Sequence, residues 1–372
     1  MEKAAFTEPQ RAAERRDLFV VSDIHGYADQ LFKALDAAGF DRNNPRHLLV
    51  CCGDYFDRGR ESRAVYRYLR ATPNKILLRG NHEYLLEEAL ARKIMRPIDA
   101  RNGMEITLTS LFGRDCMDLN TGRIYADPED VADILRFTAD TYDYFESAHH
   151  RFVHGWVPLA INEEGVASPH ADWRVATRSE WRRACWTEWQ QVYSAEELRP
   201  RDRTLVCGHR TAAYGACFDP SRRDNDFSTF YGNGVIAIDA QTVTSGRVNV
   251  LVLRGEEIDL PLTHEMRLRR EPFEAIRSGE KRVEMRVYDE KRRALRPRDR
   301  IRFTCEESGE ELTAEVLGIH VYPDFAALAE DFETAELGFP TLTREQITDL
   351  MATFYPDAHV RTHGTVAIRI KV

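Results

Sequence analysis

Residues 18–26 read LFVVSDIHG. The apolar run Leu18–Val21 is of the kind that builds a buried strand of an α/β sheet, yet it stops at once in Asp23 and His25. Packing alone gives no reason for a strand to end in a carboxylate and an imidazole. The same punctuation recurs further along the chain. RHLLVCCGD ends in Gly53 and Asp54, NKILLRGNHE in Asn81, His82 and Glu83, RFVHG in His154 and Gly155, and TLVCGH in Gly208 and His209. Segments such as YADQLFKALDAAGF and ESRAVYRYLRA read as helices between these strands. In such sheets ligand sites lie just beyond the carboxyl ends of the strands, so these runs bring their polar ends into one crevice.

A chain of 372 residues is too long for one ordinary core, and two domains are expected. Hydrophobic content of 43% and charged content of 30% are globular values. No window reaches the roughly 18 uncharged apolar residues of a membrane helix, so no membrane association is expected. The opening MEKAAFTEPQRAAERR lacks the apolar stretch of a secretory signal and reads as a charged leader over residues 1–16, which implies a cytoplasmic protein. The odd count of seven cysteines argues for reduced thiols, with Cys51 and Cys52 as small core residues. A net charge of −9 argues against wholesale nucleic-acid coating while leaving local patches open.

The first domain is expected over residues 17–256. Residues 84–150 lack the strand rhythm and read as a helical insert capping the site. In RSEWRRACWTEWQQ, Trp181, Trp186 and Trp189 recur at helical spacings, which points to packing. NGVIAIDA and GRVNVLVLRG read as a hairpin-like pair closing the domain, and GEEIDLPLTH as a linker. Residues 263–372 then read as a small α+β or barrel domain. Between Arg267 and Arg302 it carries fourteen Lys/Arg against seven Asp/Glu. The basic excess suits either a solvated face or phosphate contacts with a nucleic acid.

The polar ends of the strands offer oxygen and nitrogen donors with no thiolate among them, which suits Mn, Fe or Zn. Two ions are expected, Mn foremost. Asp23 and His25 hold the first, Asn81, His154 and His209 the second, and Asp54 bridges. Such a pair stabilises attacking and leaving oxygens in a phosphoryl displacement and generates a bridging hydroxide as nucleophile. His82, beside Asn81, is placed to be the general acid, with Asp57 orienting its ring and Arg58 holding phosphate oxygens.

The motifs SDIHG, GDYFDRG, RGNHE, FVHG and CGH, in this order, resemble those of the calcineurin-like metallophosphoesterases, in particular their phosphoprotein-phosphatase branch. The resemblance covers residues 18 to about 254 and implies an α/β fold, a β-sheet sandwich flanked by helices. It implies the same ligand set, the same acid pair and the same phosphate-binding Arg58. Asp57, Arg58 and Gly59 form the element that marks the branch. One position departs: many members carry a second phosphate-binding arginine two residues after a Trp, where CWTEW has Glu188. Arg182 or Arg183 could substitute, or phosphate is held differently.

EPFEAIRSGEKRVEMR and LRPRDRIRF are similar to ASCH domains, small barrels of the PUA-like class linked to RNA or modified-nucleoside handling. Gly279, Lys281, Glu284 and Arg286 match the signature that in that family faces a cleft, which implies Lys281, Glu284 and Arg286 as substrate-binding residues. The substrates implied are phosphorylated protein side chains, dinucleoside polyphosphates or phosphorylated RNA ends, with RNA contact through the C-terminal domain. The opposing reading is an RNA-binding factor with a vestigial metal site.

Overall fold

The computed structural model describes residues 9–372. The chain divides into two compact units. One comprises Glu14–His170 and Arg182–Ile258; the other comprises Asp259–Val372 with Ala171–Trp181 and the described residues up to Ala13.

The larger unit contains two main sheets. In the first, β1 (Ala13–Val21), β2 (His47–Cys51) and β3 (Lys75–Leu77) are parallel neighbours. Strand β2 is buried along its whole length, as parallel strands covered on both faces are. The helices Ala28–Ala37 and Ser62–Ala71 each bury one stripe, Ala28, Leu31 and Leu35 in the first and Ser62, Val65 and Leu69 in the second, at spacings of three and four. The second sheet begins with β4 (Phe145–Glu146), antiparallel to β5 (His150–Phe152). A short hairpin of β6 (Leu159–Ile161) and β7 (Ala167–Pro169) stands apart. The second sheet then continues with β8 (Thr204–Cys207) parallel to β5, and ends in β9 (Phe230–Gly232) and β10 (Val235–Ala237) in the order β4-β5-β8-β10-β9. Strand β11 (Leu251–Asp259) returns to the first sheet, beside β1.

The other unit holds a five-stranded sheet built from β12 (Thr263–Leu268), β13 (Val283–Val287), β14 (Arg300–Cys305), β15 (Glu311–Tyr322) and β16 (Thr365–Lys371), in the order β12-β14-β15-β16-β13. Along β16 the side chains alternate. Val366, Ile368 and Ile370 join one core with Phe273 and Phe303, while Ala367 joins another with Phe325 and Leu328. The sheet thus has a core on each face and curls as a PUA-like half-barrel.

Several expectations need correction. NGVIAIDA and GRVNVLVLRG do not pair: β10 belongs to the second sheet and β11 to the first. The apolar alternation was legible, but the order of strands in a sheet depends on long-range pairing. GEEIDLPLTH is largely strand, split between β11 and β12. Residues 1–8 of the expected leader lie outside the described residues, while Ala13–Arg16 already belong to β1. Arg11 is anchored too: its guanidinium donates to both carboxylate oxygens of buried Asp299, at 2.5 and 2.9 Å. The expected insert is helical only as far as Ala139, after which Phe145–Glu146 and His150–Phe152 are strands of the second sheet.

Candidate metal centre

The strands expected to carry the site end where the sequence implied. Beyond β1 lie Asp23 and His25, beyond β2 Asp54, and beyond β3 Asn81; His154 follows β5 and His209 follows β8. These six residues converge. Nε2 of His25 lies 3.8 Å from Asp23 Oδ1 and 3.8 Å from Asp54 Oδ2, and Nε2 of His154 lies 3.3 Å from Asp54 Oδ1 and 2.8 Å from Asn81 Oδ1. Ligand-capable atoms of Asp54, His154 and His209 fall within 4.8 Å of one another, as do those of His25, Asp54 and His82. Asp54 belongs to both groups.

The loops are pressed against each other so tightly that glycine is required. A Cβ on Gly80 would collide with the Asp54 carboxylate, and one on Gly208 with Ser22 and Asp23. Asp23, His25, Asp54, Asp57, Arg58 and His209 all adopt left-handed backbone, with φ between 49° and 71°. Non-glycine residues enter that region at a cost of about 1–3 kcal/mol each and persist only where the surroundings fix them. The Asp54 loop is fixed by Glu83, whose buried carboxylate accepts from the backbone N–H groups of Asp54, Tyr55 and Gly80 at 2.9, 3.0 and 2.8 Å. Burial pushes the Glu83 carboxyl up to about 7.

The imidazoles are oriented by their distal nitrogens. His25 Nδ1–H donates to Phe56 O at 2.9 Å and His154 Nδ1–H to Cys52 O at 2.7 Å, which turns each Nε2 lone pair inward. That is the arrangement of histidines that ligate metals. Burial, then the neighbouring His82, holds His25 well below the usual histidine range; burial, then His154, holds His209 at about 3. Asp54 resists the upward push of burial because His154, His82, His25 and His209 surround it, and it stays ionised. Neutral imidazoles at His25 and His209 beside a carboxylate suit divalent ions, so the residues present fit divalent metal.

His82 has a different partner. Its Nδ1 lies 2.5 Å from Asp57 Oδ2, both side chains are buried, and Thr107 Oγ1 accepts the Asp57 N–H at 2.7 Å. Nε2 then faces Asp54 Oδ2 at 3.8 Å. Burial would lower the affinity of His82 for its second proton, but the carboxylates of Asp54 and Asp57 overcome it and raise the pKa to about 9. Arg58 is exposed.

Residues 17–236 match the calcineurin-like phosphoesterase family, more than half of the chain. The chain belongs to the calcineurin-like phosphoesterases. Residues 266–372 match the ASCH domain. Over 100 residues this phosphoesterase chain is 35% identical to serine/threonine-protein phosphatase 1 of Salmonella typhimurium, a stretch that makes up 27% of this chain and only 40% of that relative. Two solved structures are also similar. A Pyrococcus furiosus protein is 34% identical over 30% of this chain and 96% of its own, with a TM-score of 0.25. A cold-active protein-tyrosine phosphatase of a Shewanella species is 16% identical over 64% of this chain and 75% of its own, with a TM-score of 0.37.

Some features of the calcineurin-like unit were not assigned from sequence. Glu83 was visible inside RGNHE but received no role. Asp239, buried just beyond β10, accepts the Gln241 N–H at 2.6 Å, and Thr242 Oγ1–H donates to Asp23 O at 2.9 Å. Its run, NGVIAIDA, carries the same ending as the other strands. The packing reading holds for Trp181 and Trp189, which are buried, and fails for Trp186, which is 47% exposed and lies edge-on to His209 with ring centroids 6.0 Å apart. Neither expected substitute arginine is placed by a contact at the metal ligands: Arg182 pairs with Glu88, and Arg183 is exposed. Glu188 instead binds Arg210, the residue after His209.

In the C-terminal unit, Lys281, Glu284 and Arg286 do come together. Glu284 is fully buried, with Lys281 Nζ 2.9 Å from Oε2 and Arg286 paired to Oε1. They line a cleft of about 620 Å³ with Arg267, Arg269, Phe339 and Tyr355.

Proposed function

We propose that the chain hydrolyses phosphate esters at a dinuclear metal centre, in the manner of serine/threonine phosphatases. The observation that carries this reading is the position of Asp54, shared by two groups of ligand-capable atoms, with the Asp57–His82 pair alongside. Asp23, His25 and Asp54 would hold one ion and Asn81, His154, His209 and Asp54 the other, with Mn the first candidate and Fe or Zn the alternatives. Two divalent ions, when bound, supply the Lewis acidity and the activated water of an in-line displacement.

The protein's own groups do the rest. Arg58 binds the phosphate oxygens with its planar fork. Water oxygen bonds to phosphorus and gives up a proton to solvent, the bond to the leaving oxygen breaks, and that oxygen takes the proton from His82 Nε2, which solvent then restores. Asp57 keeps the ring turned and the second proton in place. The pKa of about 9 leaves His82 in its acidic form at neutral pH. Glu83 keeps the Asp54 loop in register by three backbone hydrogen bonds.

Hydrolysis should appear on adding Mn and stop with a chelator. Replacing His82 by Ala should cut turnover of poor leaving groups by roughly 10²- to 10⁴-fold while metal, assayed directly, stays bound. Hydrolysis indifferent to chelator would remove the reading.

A second reading, a phosphoesterase for RNA ends or dinucleoside polyphosphates, is favoured by the C-terminal cleft, where arginines and aromatic rings surround a buried carboxylate. Such a cleft offers phosphate contacts, stacking surfaces and an acceptor for a base edge. Comparing kcat/KM for a phosphothreonine peptide and for an RNA oligonucleotide with a terminal phosphate, in the full chain and in Arg286→Ala, separates the two. Preference for the RNA that Arg286→Ala diminishes supports the second reading; peptide preference untouched by the substitution supports the first.

A further inference from the structure

Resting on the phosphoesterase reading, we infer that Glu188 sets the substrate charge accepted at the metal centre, by holding Arg210 in an ion pair beside the ligand His209. The segment Ala184–Trp189 lies directly on both ligand loops of the second sheet. Trp156 N–H donates to Ala184 O at 3.1 Å, and a Cβ on Gly155, next to His154, would collide with the carbonyls of that segment. Trp189 Nε1–H donates to Arg210 O at 3.0 Å, so the backbone after His209 is pinned to the same segment. Trp186 stands against the His209 ring.

Within this arrangement the Arg210 guanidinium is engaged. Its Nε donates to Glu188 Oε1 at 2.6 Å, and Nη2 pairs with the same oxygen. The other oxygen, Oε2, accepts from Gln190 Nε2 at 2.9 Å and from Gln191 Nε2 at 2.6 Å. Four donors therefore fix the carboxylate, which cannot leave the arginine without abandoning the amides. At the mouth of the centre, among the described residues, Arg210 and Glu188 thus form a net-neutral pair, while Arg58 is exposed.

A phosphorus centre bearing two negative charges gains most from a second free guanidinium, which the pairing with Glu188 withholds. A singly charged one loses less from its absence. Relative to a rim with Arg210 free, the pair shifts preference toward phosphorus centres with one negative charge: a phosphodiester, or the internal linkage of a polyphosphate. Phosphomonoester dianions are still accepted but bound less tightly. The exposed Trp186 ring adds an aromatic face beside this rim.

The test uses the full Mn-loaded chain as wild type, Glu188→Gln, Glu188→Ala and Glu188→Gln/Arg210→Ala, with unfolding midpoints checking that each is folded. Two quantities are measured: the ratio of kcat/KM for p-nitrophenyl phosphate to that for bis(p-nitrophenyl) phosphate, and the calorimetric Kd of inorganic phosphate. Loss of the Glu188 charge should raise the ratio about tenfold and tighten phosphate about tenfold, as expected for one charge-assisted contact. Adding Arg210→Ala should return both to near the wild-type values. No change in either quantity, or a gain that survives Arg210→Ala, overturns the inference. A diadenosine tetraphosphate arm, compared with the diester, tells which singly charged linkage the site takes. If no form, wild type included, hydrolyses any ester, the phosphoesterase reading fails, and the phosphate calorimetry still decides the role of Glu188.

Discussion

Replacing Asp57 by Asn tests how the acid is made. The carboxylate sits 2.5 Å from His82 Nδ1 with both side chains buried, so the substitution removes one charge-assisted hydrogen bond and one negative charge while keeping the shape. A hydrogen bond of this kind contributes about 1.5–3 kcal/mol, which corresponds to about a 10- to 150-fold change in rate if it is expressed fully in the transition state. The loss should fall unevenly. A p-nitrophenolate leaves without help, whereas an alkoxide requires a proton, so kcat/KM for p-nitrophenyl phosphate should drop only a few-fold and that for an alkyl phosphate by the full factor. The pH profile adds a second handle. The pKa of His82 is raised to about 9, so the acidic form is present below that pH and activity on alkyl phosphates falls as pH rises through it. Without the Asp57 charge the descending limb should move to lower pH. Equal losses on both substrates, or a limb that does not move, would refute the assignment of His82 as a proton donor held by Asp57.

Further outcomes are expected. Asp54→Asn, which alters the carboxylate common to both groups, should weaken binding of both ions in a metal titration, whereas Asp23→Asn should affect one more than the other. Glu83→Gln keeps the size but offers a single acceptor oxygen to three N–H donors, and should lower stability by about 1–3 kcal/mol in urea unfolding. In the C-terminal unit, Asp299 is buried, and although burial pushes its carboxyl up, Arg11 and His264 hold it at about 2. Its folded pKa is depressed, so its contribution of about 2.5 kcal/mol is present above roughly pH 4 and lost as pH falls toward 2; denaturant titrations at both ends check this, and Arg11→Ala should flatten the dependence.

Much of the centre was legible because its chemistry is written at strand ends. Each apolar run is short, each stops in groups that have no place in a core, and the carboxyl ends of parallel strands share one edge. Asp23, Asp54, Asn81, His154 and His209 could therefore be brought together without coordinates. What escaped depends on contacts between distant segments. Trp186 follows the same helical spacing as Trp181 and Trp189, yet its loop leaves the ring half in solvent, and spacing alone cannot tell the two situations apart. The Glu188–Arg210 pair joins residues with no local relation. Strand β10 was read as half of a hairpin because its neighbours in the sheet, β8 and β9, are fixed by pairing rather than by its own apolar pattern.

The left-handed backbone at Asp23, His25, Asp54, Asp57, Arg58 and His209 has a consequence for how such a chain would change under selection. Glycine relieves this conformation at no steric cost, so at each position the most comfortable residue is one with no chemistry to offer. A laboratory population screened only for heat resistance or yield should drift toward glycine at these sites and lose hydrolysis while gaining robustness. Retention of side chains there is, in that sense, a record of use: a population that keeps all six under mutation is still being tested for what they do.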